Sequence, residues 1–344
     1  MSILEQINKA YTNKQPFVCY RKPNELNTSL YIQKDDSIYY AKDLKERGFV
    51  FAPFDNSNAS ILIPIDSADF YEEQPIISNK LSFNKDFAHD VSSKEAHIKL
   101  VDSGIKAIQD NLFKKVVLSR KEEVLLENFD LTTTFQKLLY LYPTAMVYVW
   151  FHPKVGLWLG ATPETLVKIN NNQFKTMSLA GTQLFQKDIK VTWNQKEIDE
   201  QQFVTDYILD KLSAITEKIS TSDVNTIKAG NLVHLQTTIE GTHRKNIAEI
   251  IDALHPTPAV CGLPKEVSKQ FILDNENYQR TYYTGYLGEL NIDNHSNLFV
   301  NLRCMEITQA IAHIYIGGGI TVDSNPEKEW LETVAKTSTM KKAL

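Results

Sequence analysis

The stretch "YYTGYLGELNIDNHSNLFVNLRCMEITQAIAHIYI", from Tyr282 to Ile316, decides the class of fold. Its apolar runs "YYTGYLGEL", "LFVNLRCMEI" and "AIAHIYI" are rich in aromatic and β-branched residues, which suit a pleated, half-buried surface. "NIDNHSN" between the first two is a cluster of turn formers. The segment therefore reads as a meander of three antiparallel strands. Further upstream, "PFVCYR", "SLYIQKDDSIYYA", "GFVFAPF" and "ASILIPI" are strand-like, and Asp35-Asp36 marks a hairpin turn within the second.

Helices interrupt these strands without a regular alternation. Ser92 and Glu95 form a capping-box pattern, followed by a stripe of Ile98, Val101, Ile105 and Ile108. Asp130 is placed to cap a helix that runs to about Tyr140, before Pro143. "AMVYVWFHPKVGLWLGATPE" reads as two strands, and "QFKTMSLAGT" as another. The clearest helix runs from about Lys196 to Ile219, with Val204, Ile208, Leu212, Ile215 and Ile219 at helical spacing. Short helices are expected at 246–254 and 265–275, and a last one begins at Asn325 with Pro326 in its first position. This order favours a mainly antiparallel α+β fold over a doubly wound one. No repeat, low-complexity tract or linker interrupts residues 1–344. The chain reads as a single domain, strand-rich over 1–90 and motif-bearing over 90–344.

The 344 residues are 42% hydrophobic and 23% charged, a composition typical of globular proteins. A net charge of −5 argues against a nucleic-acid binder dominated by phosphate contacts. Cys19, Cys261 and Cys304 are far apart and form no C-x-x-C pair, so neither a disulfide framework nor a zinc site is expected and a reducing cytoplasm fits. No segment has the apolar character of a signal peptide or a membrane span.

"FKKVVLSRKEEV", Phe113 to Val124, is a strand crowded with cations. Alternation puts Lys115, Val117 and Ser119 on one face and Val116, Leu118 and Arg120 on the other. Composition alone makes Lys114, Lys115, Arg120 and Lys121 an edge-strand defence. The common catalytic signatures are absent: there is no G-x-x-x-x-G-K-[ST], H-E-x-x-H or G-x-S-x-G. "YIGGGIT" (Tyr315–Thr321) is either a strand-end bend or a run of bare N–H groups open to an anion. The eight histidines, His89 and His97 included, form no convincing pair. Three carboxylates have both a functional and an ordinary reading. Glu164 ends "LGATPE" in a turn after a strand, where loop carboxylates are commonly solvated. Glu200 stands at the margin of a helix's apolar stripe, where the helix dipole favours it. Glu332 and Lys336 have the spacing of an exposed ion pair, roughly opposite a face of Trp330, Val334 and Thr337.

Taken in order, "KVVLSR", "LGATPE", "SLAGT", "LHPTPAVCGLP", "NLRC", "GGGIT" and "EWLETVAKTSTM" resemble the chorismate-binding enzyme family. The resemblance runs from about residue 90 to the C-terminus. It implies one α+β domain of large, mostly antiparallel sheets packed together, with helices outside and the active site in a cleft. It also implies roles. Lys115 falls on the general base of isochorismate synthases, which deprotonates the water that attacks C2 of chorismate. Glu164 falls on the acid that protonates the departing 4-hydroxyl. Glu200 and Glu332 match the glutamates that hold Mg²⁺. Gly181, Thr182, Ala259, Tyr283, Arg303, Gly318, Gly319 and Lys336 match substrate-binding positions. Lys115 must then face a cleft shared with Glu164, Glu200 and Glu332.

Other positions separate the family's reactions. Aminodeoxychorismate synthases that use a nucleophilic lysine carry it where this chain has Ala180. Anthranilate synthases, which use ammonia, lack the equivalent of Lys115. Salicylate synthases share Lys115 but tend to carry Thr in place of Ala259. The resemblance therefore points to a Mg²⁺-dependent isochorismate synthase, an isomerase acting on a small molecule as a cytoplasmic monomer or weak homodimer. The alternatives are a salicylate synthase, which continues to pyruvate elimination, and a non-catalytic chorismate-binding subunit. Whether the product feeds menaquinone, a siderophore or salicylate is left open. Two departures stand out: Glu200-Gln201 replaces the usual Glu-His, and "QLFQKD" after "LAGT" lacks the usual basic residues.

Overall fold

The structure is a computed structural model. It describes the chain except residues 78–80, 84–90, 92, 186–190, 230–231 and 244–245, and except the side chains of 182, 184, 196, 229 and 232. In chain order, helix α1 (Ile3–Thr12) precedes strands β1 (Phe17–Arg21), β2 (Thr28–Gln33), β3 (Tyr39–Ala41), β4 (Gly48–Ala52), β5 (Ser60–Pro64) and β6 (Ala68–Glu73). Then come α2 (Lys94–Gln109), β7 (Lys115–Leu125), α3 (Leu131–Leu141), β8 (Met146–His152), β9 (Gly156–Thr162), β10 (Thr165–Asn170) and β11 (Gln173–Leu184). They are followed by α4 (Gln195–Ser213), β12 (Thr216–Thr221), β13 (Asn225–Ala229), β14 (Leu232–His243), α5 (Ile247–Leu254), β15 (Gly262–Leu263) and α6 (Lys265–Asn275). The last elements are β16 (Tyr286–Ile292), β17 (His295–Val300), β18 (Cys304–Thr308), β19 (Ile311–Ile320) and α7 (Pro326–Lys341).

Among the described residues the strands form two antiparallel sheets, in the α+β arrangement expected. One has the order β15-β7-β19-β18-β9-β8-β1-β2-β6; the other runs β12-β14-β11-β10-β17-β16-β4-β5-β3, with β13 also paired to β14. The sheets face each other across an aromatic core. Trp150 and Trp158 are cross-strand partners in the first sheet, and Phe51 of the second stacks on Trp150 with ring centroids 4.6 Å apart. Fully burying one such side chain stabilises the fold by roughly 1.5–3 kcal/mol. Outside, α1 and α3 cover the first sheet, while α4 and α5 cover the second.

Several expectations are corrected. The segment 282–316 holds parts of four strands, not three. "LFVNLRCMEI" breaks at Asn301-Leu302-Arg303, so β16 and β17 lie in one sheet and β18 and β19 in the other. Asp35-Asp36 does not close a hairpin either: β2 pairs with β1 and β6, and β3 pairs with β5 in the opposite sheet. Local turn chemistry shows where the chain bends and is silent about which sheet receives the next strand. Helix α4 stops at Ser213. The β-branched run Thr216–Thr221 pairs with β14 instead, which removes Ile215 and Ile219 from the helix while Val204, Ile208 and Leu212 stay buried in it. The stripe of α2 turns to His97, Val101, Gly104 and Ile108. The side chain of its Ser93 cap makes no capping hydrogen bond, and Ser92 lies outside the described residues, as does His89. Gly317–Gly319 do not bend the chain; they continue β19 opposite Ser119, Leu118 and Val117. Asp130 does cap α3, and Asn325 caps α7 with Pro326 following.

The two faces of β7 have different fates, as alternation requires. Val116 and Leu118 pack against α2 and α6. Further along that face, the Arg120 guanidinium lies 4.3 Å from the Trp330 ring and donates to Thr333 Oγ1 at 2.8 Å and to Glu122 at 2.9 Å. Glu122 also pairs with Lys341. Arg120, Glu122 and Lys341 are all buried, so this ion triad, with the Arg120 contacts to Trp330 and Thr333, ties the first half and the C-terminus of α7 to the back of β7. Among the described residues no helix is long and apolar enough to cross a membrane.

Removing one member of a buried ion cluster leaves the others without compensation and costs about 3–5 kcal/mol. Glu122→Gln, which strands Arg120 and Lys341 together, is expected to lose stability on that scale in urea denaturation. A loss below about 1 kcal/mol would show that the triad does not anchor α7.

Candidate active site

Two crossovers between the sheets run side by side and form the floor of a cavity. Thr162-Pro163-Glu164 leads from β9 to β10, and Asn301-Leu302-Arg303 leads from β17 to β18. They are bonded to each other: Ala161 N–H donates to Arg303 O at 3.0 Å, Val300 N–H to Glu164 O at 2.9 Å, and Thr162 Oγ1 to Val300 O at 2.5 Å. Arg303 holds a left-handed backbone, φ 48°, which a non-glycine residue adopts only at a cost. The two ionisable side chains carried by these crossovers, Glu164 and Arg303, both line the cavity.

The cavity has a volume of about 330 Å³. Strands β7 and β19 form one wall, with Lys115 and Gly317–Gly319. Gly319 leaves space for the lysine, since a Cβ there would meet Lys115 Cε at 3.0 Å. Helices α4 and α7 contribute Glu197, Glu200, Glu329, Glu332 and Lys336, and β11 contributes Ala180 and Gly181. Ala259, Tyr283 and, from β19, Tyr315 also line the cavity. Gly181 has φ 68° and lies against Glu197, where a Cβ would meet the Glu197 Cβ at 3.2 Å.

Eleven of the twelve residues singled out in the sequence therefore line one cavity: Lys115, Glu164, Gly181, Glu200, Ala259, Tyr283, Arg303, Gly318, Gly319, Glu332 and Lys336. The side chain of Thr182 lies outside the described residues. The exposed-pair reading of Glu332 and Lys336 gives way. They are opposite the buried Trp330 and Thr337, but that side of α7 faces the cavity, and Lys336 Nζ also donates to Gly317 O at 3.0 Å. Lys121 remains a surface charge beside Glu123 at 3.3 Å.

Electrostatics divide the cavity. Lys115 Nζ donates to Glu200 Oε1 at 2.5 Å, and Lys336 pairs with Glu332 at 2.5 Å. The Arg303 guanidinium makes no hydrogen bond or ion pair among the described residues, so its planar fork lines the cavity open to an anion. Burial works against the charge of Arg303 and lowers its pKa; burial likewise lowers that of Lys336, with Glu332 opposing the shift. Glu164 is 8% exposed. Burial pushes its carboxyl up to about 7, against the opposing pull of Lys115 and Arg303. The site thus holds one carboxyl able to keep a proton near neutrality, facing cations.

Among the lining residues, two carboxylates and one histidine escaped the sequence reading. Glu197 and Glu329 precede Glu200 and Glu332 by one helical turn, and that spacing was the available signal. Glu197 also accepts from Asn194 N–H at 2.9 Å as part of a capping box. His234 gave no signal as a lone histidine. Its Nδ1 lies 3.0 Å from Gly181 O, which fixes the proton on Nδ1, and burial lowers its pKa. Among the described residues no three His, Cys, Asp or Glu side chains stand close enough together to hold a metal as placed. The carboxylates of α4 and α7 nevertheless supply an oxygen-only donor set from two helices to one cavity, which suits a hard cation.

Residues 66–344 match the family model described as chorismate binding enzyme. The chain belongs to that family. Membership begins earlier than the residue-90 start inferred from motifs. The salicylate biosynthesis isochorismate synthase of Pseudomonas aeruginosa is 29% identical over 255 residues, 71% of this chain and 53% of that protein. Isochorismate synthase DhbC of Bacillus subtilis is 30% identical over 198 residues, 54% of this chain and 50% of that protein. The chain thus spans about half the length of these relatives in sequence. MenF, the menaquinone-specific isochorismate synthase of Escherichia coli, has the same fold, with a TM-score of 0.85 at 20% identity over 100% of this chain and 91% of that one. The fold shared with that structure therefore includes the N-terminal strands, which carry none of the family's motifs.

The Glu164 pKa carries a consequence for stability. Its folded value of about 7 lies above the ordinary 4.5, so between those values the folded state binds more protons than the unfolded one. Stability must fall as pH rises through that window, by roughly 3 kcal/mol in all. Glu164→Gln cannot ionise. Thermal denaturation should show the variant gaining on the wild type by that order between pH 4.5 and pH 8. An unchanged difference across the window would show that Glu164 is not held in its acid form by burial.

Proposed function

We propose that this chain is an isochorismate synthase, converting chorismate to isochorismate by adding water at C2 and releasing the 4-hydroxyl. One observation carries the reading: Lys115 and a Glu164 carboxyl pushed up to about 7 line the same cavity as an open Arg303 fork. Lys115 takes a proton from the attacking water. The new C2–O bond forms as both conjugated ring double bonds shift by one position and the C4–O bond breaks. Glu164 hands its proton to the departing hydroxyl, which leaves as water, so one water enters and one departs. For Lys115 to accept a proton, its bond to Glu200 must open.

Arg303 grips a substrate carboxylate through its planar fork, with Lys336 and the Gly318-Gly319 backbone alongside. Glu200 and Glu332, with Glu197 and Glu329 one turn earlier, would hold Mg²⁺. When bound, the ion supplies positive charge to the ring carboxylate. Ala180 lines the cavity with a methyl group where a covalent route would need lysine, which favours water as the nucleophile. Ala259 lines it too, at the position where salicylate synthases tend to carry Thr.

Protein incubated with chorismate and Mg²⁺ should yield isochorismate by chromatography, and chelation should abolish the product. Lys115→Ala should lower kcat by about 100-fold or more while chorismate binding, followed by calorimetry, persists. Salicylate and pyruvate as main products would move the assignment to a salicylate synthase. Turnover with ammonia but not water would sink both readings.

A further inference from the structure

A buried pair behind the cavity governs the shape of its wall. Arg280 and Glu276 lie in the loop between α6 and β16, with side chains 2% and 1% exposed. All five N–H donors of the Arg280 guanidinium are used. Nε donates to Glu276 Oε2 at 2.8 Å, and Nη2 donates to Glu276 Oε1 at 2.6 Å and to Val117 O at 2.7 Å. Nη1 donates to Val260 O at 2.9 Å and to Thr284 Oγ1 at 3.3 Å. The ring of Phe54 lies 4.6 Å from the guanidinium. Glu276 Oε1 also accepts from Ser119 N–H at 2.8 Å and from Ser119 Oγ at 2.7 Å.

The three acceptors other than Glu276 are all cavity-lining residues from separate parts of the chain. Val117 stands two residues from Lys115 on the cleft face of β7. Val260 follows Ala259, and Thr284 follows Tyr283. A fully engaged fork has no donor left for a ligand, so Arg280 cannot itself bind substrate. A lysine in its place would offer one point charge and could not span three carbonyl and hydroxyl oxygens while gripping a carboxylate at two points.

We propose that Arg280, oriented by Glu276, is a positioning residue that locks the Val117, Val260 and Thr284 segments into one wall and so sets where the substrate lies relative to Lys115. The proposal rests on the reading of this cavity as a chorismate site. The wild type tests that reading, and the ratio of variant to wild type tests the clamp.

Glu276→Gln keeps the shape of the pair and removes its charge; Arg280→Lys keeps the charge and removes the fork. In each folded variant, KM for chorismate should rise about tenfold, with kcat lowered as well, because a wall displaced by a fraction of an ångström misplaces the substrate. A variant that merely lost folded molecules would show a lower apparent kcat at unchanged KM. Unchanged KM in a variant with native circular dichroism overturns the proposal. So does loss of fold in both variants, which would make the pair a core element and nothing more. If the wild type does not turn over chorismate, the functional reading fails. The clamp is then judged by chorismate affinity in calorimetry, where the same tenfold weakening supports it and equal affinity overturns it.

Discussion

The structure depends on two crossovers that pass between the sheets as a bonded pair. β9 and β18 are neighbours in one sheet, and β10 and β17 are neighbours in the other. The chain therefore changes sheet twice at the same place, at Pro163-Glu164 and at Leu302-Arg303. Backbone groups at a sheet boundary have lost their ladder partners and must find others. Here each crossover supplies them to the other, through Ala161, Val300 and the Thr162 hydroxyl. The result is a rigid junction with an acid on one strand and a guanidinium on the other. The left-handed conformation of Arg303 is tolerated because the junction holds it on both sides.

The second constraint is the period of two along β7. On the face toward the helices, charges are buried only as a closed set: Arg120 and Lys341 share Glu122, and Trp330 covers the guanidinium. On the cleft face the charges are not closed among themselves. Lys115 meets a carboxylate from α4, and Lys336 meets one from its own helix, in a cavity that still holds an open arginine. One strand thus separates a structural ion cluster from a chemical one, by a single residue of register. A one-residue slip would exchange Lys115 with Val116 and bring Arg120 into the cavity.

Much of this was legible in the sequence, for identifiable reasons. Strand and helix positions followed from alternation, from Asp130 and Asn325 as caps, and from Pro326. The faces of β7 followed from the period alone. What was not legible was partnership. Nothing local in "LFVNLRCMEI" or at Asp35-Asp36 says which of two sheets the next strand joins, so neither the break at Asn301 nor the separation of β2 from β3 can be read there. Helix α4 was drawn too long because Ile215 and Ile219 keep helical spacing by accident of an edge strand that starts at Thr216. In the site, Glu332 and Lys336 looked exposed because a helical wheel reports which face is polar and not what lies opposite. His234 and Arg280 were invisible because their roles lie in tertiary partners, Gly181 O in one case and Val117 and Val260 in the other.

The electrostatic balance at Glu164 follows from these packing facts. The crossover excludes water from the carboxyl, which favours its neutral form, and Lys115 and Arg303 favour the charged form. Desolvation wins, and a value of about 7 leaves the two protonation states close in free energy near neutral pH, where a ligand can tip them. On the proposed reading, the substrate brings carboxylates to Arg303 and displaces remaining water from the cavity. Both changes weaken the case for a charged Glu164. The acid would then hold its proton most firmly when the leaving hydroxyl is beside it, and a base drawn from the same cavity need not compete for it. Such coupling requires the acid and the anion-binding arginine to be fixed to each other, and the bonded crossovers provide that fixed relation.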